Sequence, residues 1–154
     1  MSNASTLFSL ETAIAYEKDG FNDAVRFLRG SAGRQFLQAD NLTLYRTTTS
    51  AKSDVVTNAA VQPVLISVKS PVLATTDAYL QLFNTSSASV TLGGLPQPLE
   101  IIKVPYTKTK TVVYFPGADP CAFGSALSIA VTTTPCGGTA ADATNAPVTT
   151  ILYG

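Results

Sequence analysis

Histidine and tryptophan are absent from this 154-residue chain, methionine occurs once, cysteine twice, and only 13% of residues are charged. Each shortage excludes something. Without histidine there is no Ser/His or Cys/His nucleophile pair, no general base of the commonest kind and no imidazole ligand for zinc. Ten basic residues balance ten acidic ones, so no basic field for nucleic acid or anionic lipid exists, and neither nucleic acid nor membrane is expected as a partner. No stretch approaches the roughly 18 apolar residues of a membrane span. The opening MSNASTLFSLETAIAY lacks a basic n-region and its apolar runs are short, which reads as a chain without a secretion signal, made in the cytoplasm.

The remaining chemistry is thin. Two carboxylates at the right separation can hydrolyse a glycoside, but the acidic residues are scattered and Glu100 alone falls inside an expected strand of the C-terminal part. Asp77 and Asp119 stand in turns, where an Asx-type turn accounts for them. Gly93-Gly94 and Gly137-Gly138 are not set in a phosphate-loop pattern and read as loop glycines. The sequons at Asn41 and Asn84 carry no weight without secretion. No catalytic, cofactor-binding or metal-binding residue is assigned, no cofactor is expected, and no enzymatic activity is expected.

Cys121 and Cys136 flank an expected strand at 124–134, which at about 3.3 Å per residue holds them on the order of 30 Å apart. A disulfide needs Cα atoms within about 7 Å. A continuous strand therefore leaves two free thiols, whereas a sharply bent one would let them join.

What is present is β-forming sequence. Hydrophobic residues make up 45% of the chain, accompanied by abundant Thr, Ser, Gly and Pro, a composition that suits many short strands and turns. Residues 111–115 are β-branched and aromatic, turn signals follow, and Leu127, Ile129 and Val131 then alternate with Ser128, Ala130 and Thr132: strand, turn, strand. Further strands are expected at 64–68, 79–83, 89–92, 99–104 and 148–153, with a loop over 135–147. Seven short strands between turn signals indicate an all-β, antiparallel β-sandwich, Ig-like or jelly-roll-like, over residues 63–154. In the jelly-roll alternative a strand near Leu42–Tyr45 joins the sheet.

Residues 1–50 differ in character. They contain all the arginines, and Phe21, Ala24, Val25 and Leu28 fall at helical spacing, with Asn22 to cap and Gly30 to stop. A short helix over 22–29 is expected inside an N-terminal arm of residues 1–50. It is too short to stand alone in water, so its apolar stripe must dock on its own sandwich or on another subunit. Residues 51–62 are polar, small and aperiodic, and read as a linker.

Tyr79, Phe83, Tyr106, Tyr114 and Tyr153 could line a sugar-stacking face, or else serve the core and subunit contacts. The C-terminal two-thirds, about 63–154, resembles a β-sandwich domain of tailed-bacteriophage virion proteins. The resemblance is carried in order by the run from Asp77 to Asn84 (DAYLQLFN), Val90-Thr91-Leu92-Gly93, the strand between Pro98 and Pro105, Phe115-Pro116-Gly117, and the run from Phe123 to Thr134. It implies a non-catalytic virion structural protein, a capsid decoration (cement) protein or a head-to-tail or tail component. The implied partners are other virion proteins, major capsid or head-tail, with the chain itself a homo-oligomer, made in the host cytoplasm and located in the virion. The alternative is a peripheral glycan- or host-receptor-binding sandwich.

Overall fold

A computed structural model describes residues 42–48, 51–114 and 123–154. Eight strands form two antiparallel four-stranded sheets: β1 (Thr43–Thr47), β2 (Ser53–Val56), β3 (Pro63–Lys69), β4 (Ala78–Phe83), β5 (Glu100–Val104), β6 (Thr109–Val113), β7 (Leu127–Thr132) and β8 (Val148–Tyr153). One sheet runs β1-β8-β3-β6 and the other β2-β7-β4-β5. The described residues therefore form an all-β, two-sheet sandwich. Among the described strands only β4 and β5 are consecutive and paired; every other pair of consecutive strands lies in different sheets.

Alternation explains the layers. On the first sheet Tyr45, Ile151, Ile66 and Val112 share one cross-strand row and face inward. On the second, Leu80, Leu82, Ile129, Val131 and Ile102 meet them. These side chains, with Phe123 and Tyr114, make one core, and burying each such side chain contributes about 1.5–3 kcal/mol before ordering costs. In β7 all six residues are buried, because the Ser128/Ala130/Thr132 face is covered as well. Phe83, Val90 and Ala130 form a satellite cluster on that outer side, with Leu92 packed against it.

Several expectations are corrected. Residues 51–62 are not only a linker: Ser53–Val56 pairs with β7 as an edge strand, and a register shift between Asp54 and Val56 breaks the alternation that would have announced it. The strand of the jelly-roll alternative, expected near Leu42–Tyr45, is present as β1 and pairs with β8 along five residues, so the sandwich is not confined to residues 63–154. The expected strand at 89–92 is instead a 3-10 turn, Ser87–Ser89, followed by loop. Strands β6 and β7, expected as a hairpin, lie in different sheets. The helix expected at 22–29 and the rest of the arm up to residue 41 lie outside the described residues, as do Asp119, Cys121 and Asn41. Cys136 is an exposed free thiol.

Tyr45 and Ser53 close one corner of the sandwich. Their hydroxyls are 2.5 Å apart, joining the first strand of one sheet to the first strand of the other just after the chain crosses between them.

Candidate contact surface

The end of the sandwich where β3, β5 and β7 finish is built from three loops, residues 70–77, 105–108 and 133–147. Pro71 opens a turn closed by the Ala74 N–H donating to the Pro71 carbonyl at 3.1 Å. That places Val72 and Leu73 at the apex, where they are 84% and 78% exposed. Turn apices ordinarily carry Gly, Asn, Asp or Ser. Two large apolar side chains there cost solvation with no folding return, unlike a lone exposed leucine on a strand.

The loop carrying them is fixed from both sides. Asn145, itself buried, accepts the Thr75 and Thr76 N–H groups on its side-chain oxygen at 2.9 and 3.3 Å. Its own amide nitrogens, backbone and side-chain, donate to Asp142 at 2.9 and 3.0 Å. On the other side the Ser70 N–H donates to the Lys108 carbonyl at 2.9 Å and the Ser70 hydroxyl accepts the Thr107 N–H at 3.2 Å. Asp77 accepts the Tyr106 N–H at 3.0 Å and pairs with Lys103 at 2.8 Å. Its role is thus a long-range clamp between loops, not the local Asx turn read from the sequence. The hydrogen bond from Lys103, then that from Tyr106, holds the Asp77 carboxyl below its ordinary value; the same bond to Asp77 pushes Lys103 upward.

The neighbouring turn carries strain. The Lys108 N–H donates to the Pro105 carbonyl at 3.1 Å, and Thr107 inside that turn has φ 59°. A β-branched residue in the left-handed region costs of order 1–3 kcal/mol and persists only where surrounding structure holds it. Here the Ser70 hydroxyl does so, and the result is that Tyr106, 53% exposed, is presented beside the apolar turn.

Apart from Asp77 and Tyr106, the residues singled out in the sequence fall elsewhere. Glu100 begins β5 and accepts the Tyr114 hydroxyl proton at 2.8 Å. Phe83 and Tyr114 are buried, Tyr153 packs on the core, Tyr79 is half-buried on the outer side of its sheet, and Tyr106 stands at the tip. The aromatic residues therefore share no single face. Gly93-Gly94 and Gly137-Gly138 are more than loop glycines, because the two turns touch: a Cβ on Gly93 would lie 2.8 Å from the Gly138 nitrogen. Together these loops cover the outer face of the second sheet, with the Gln81 amide donating to the Thr132 hydroxyl and the Pro135 carbonyl at 2.9 and 3.0 Å.

Among the described residues no group of three His, Cys, Asp or Glu side chains could hold a metal, and no helix is long and apolar enough to cross a membrane. A shallow depression at the opposite end is lined by Ala60, Val61, Gln62, Phe123, Gly124 and Gly154, none of which has a titratable side chain. No period or motif in the sequence singles out Val72, Leu73 or Asn145. The available signal was Pro71 followed by two large apolar residues too few to be a strand, just ahead of the Thr75-Thr76-Asp77 turn. Compared with known proteins, the chain matches no family model and no curated protein.

Proposed function

We propose that this is a non-catalytic structural protein of a virus particle, a capsid decoration or head-to-tail component that works as a homo-oligomer among other virion proteins. The observation that carries the reading is the tip: Val72, Leu73 and Tyr106 exposed together on loops pinned by Asn145, Asp77 and Ser70. Apolar side chains carried on pinned loops suit a surface that meets another protein, because little loop entropy is left to lose on contact. The strand order supports the same reading. Sheets ordered β1-β8-β3-β6 and β2-β7-β4-β5 follow the jelly-roll arrangement, which occurs in viral capsid and lectin domains; that support is one of fold analogy, since a fold hosts many functions. The arm that precedes β1 would add a second contact, with Phe8, Leu10, Ile14 and Tyr16 as apolar anchors, and the protein would be made in the host cytoplasm before joining the particle.

Light scattering of the full chain tests this. The expected result is a closed oligomer that the paired substitutions Val72→Ser and Leu73→Ser convert to smaller species without loss of β-sheet circular dichroism. A monomer at every concentration, together with saturable binding on a glycan array that Tyr106→Ala abolishes, would replace this reading with the peripheral glycan-binding one.

A further inference from the structure

The face of the first sheet turned away from the core carries an apolar row that crosses all four strands. Leu44 pairs with Leu152, Leu152 with Leu65, and Leu65 with Val113. The inward row one residue along, Tyr45, Ile151, Ile66 and Val112, belongs to the core, so the leucines and Val113 point the other way. Leu65 and Leu152 belong to neither the core cluster nor the satellite cluster. Yet they are 0% and 1% exposed, and Ser67 and Thr150 in the next row are 5% and 1% exposed. Sheet faces open to water do not enclose side chains to this degree.

We infer that this row is the seat of residues 21–28 of the same chain. The stripe of Phe21, Ala24, Val25 and Leu28 spans about 10 Å along a helix at 1.5 Å per residue. The row of four strands spaced about 4.8 Å apart is roughly 14 Å wide. Size and chemistry therefore match, with Asn22, Asp23, Arg26 and Arg29 left toward solvent. The chain preceding Leu42 enters the sandwich through β1, an edge strand of this same sheet, so it arrives beside the face it would cover. Residues 29–42, at up to about 3.3 Å each, reach across that width several times over. The outer face of the other sheet offers no rival seat, because the loops holding Gly93 and Gly138 already lie on it. The seat uses 21–28 alone and leaves Phe8, Leu10, Ile14 and Tyr16 for a neighbour, so the inference does not depend on the assembly role proposed above.

Hydrogen exchange read by mass spectrometry on the full chain tests it. Amides 21–29 are expected to exchange at least about tenfold more slowly than in an unstructured peptide, and equally so after roughly hundredfold dilution. Val25→Asp, and independently Leu44→Asp, should each abolish that protection and speed tryptic cleavage at Arg26 and Arg29, while β3, β4 and β7 stay protected. Val25 belongs to none of the described strands, so its variant alters no strand of the sandwich and carries the test alone if Leu44→Asp fails to fold. Wild-type amides 21–29 exchanging at the unstructured rate would overturn the inference, as would protection indifferent to Val25→Asp or protection lost on dilution, which would put the segment on a neighbouring copy.

Discussion

The side-chain oxygen of Asn145 accepts the backbone N–H of Thr75 at 2.9 Å across 70 residues of sequence. One buried carboxamide thereby fixes the loop that exposes Val72 and Leu73. Asn145→Ala would leave the Thr75 and Thr76 N–H groups without this acceptor, a loss of about 1–3 kcal/mol. The expected outcome is a lower urea midpoint with unchanged slope and faster exchange at amides 75 and 76. A variant with the wild-type midpoint would show that the loop holds itself.

Where the Gly93 and Gly138 turns cross, a side chain has no room. Gly93 has φ +74°, and a Cβ there would meet the Gly138 nitrogen at 2.8 Å; a Cβ on Gly138 would meet the Leu92 carbonyl oxygen at 2.9 Å. Both obstacles are backbone, which gives way only if the turns part. Gly93→Ala and Gly138→Ala should each cost about 1–3 kcal/mol in denaturant titration. Gly124→Ala, whose Cβ meets nothing within 4 Å, should stay within about 0.5 kcal/mol of wild type and serves as the control.

Much of the architecture was legible because the central strands obey strict alternation. Ile66 and Val68, Leu80 and Leu82, and Leu127, Ile129 and Val131 each place apolar groups on one face, and each lies on the core. Strand β2 hid behind its register shift, which sets both Val55 and Val56 against the core. The segment 89–92 misled for the opposite reason: Val90 and Leu92 do face apolar surroundings, but as loop residues packed on a sheet, not as a strand within it. The tip was illegible because its organisation is long-range. Nothing local to Thr75 announces Asn145, nothing local to Tyr106 announces Asp77, and a two-residue apolar turn has no period to read.

Asp77 ties the tip to pH. Its carboxyl is held below the ordinary 3.8 by Lys103 and the Tyr106 N–H, so the stability it contributes is fully present above that value and is lost as pH falls through the lowered folded-state value. Lys103, raised above 10.5 by the same partner, contributes below 10.5 and loses its contribution as pH rises through its folded value. The pair is solvent-exposed, so its energetic effect is small and screened by salt. The expected signature is local: the Tyr106 amide resonance should titrate with a midpoint below 3.8, and Asp77→Asn should remove that titration while leaving the core resonances in place. A midpoint at or above 3.8 would mean that the clamp is not closed in solution.

Thr149 tests the opposite kind of polar group. It sits on the inward face of β8, two residues before Ile151, fully buried, and its hydroxyl has no hydrogen-bond partner. An unpaired buried hydroxyl costs about 1–3 kcal/mol in desolvation that nothing returns. Valine has nearly the same shape, keeps the β-branch that suits a strand and carries no polar atom to strand. Thr149→Val should therefore raise stability by about 1 kcal/mol or more, seen as a higher urea midpoint. Ser128, whose hydroxyl is likewise buried and unpaired beneath the loops over the second sheet, should gain less from Ser128→Ala, since its neighbours there are loops that can admit water. If Thr149→Val were neutral or destabilising, the hydroxyl would have a partner in solution, and a bridging water inside the sandwich near Val68 would be the place to look.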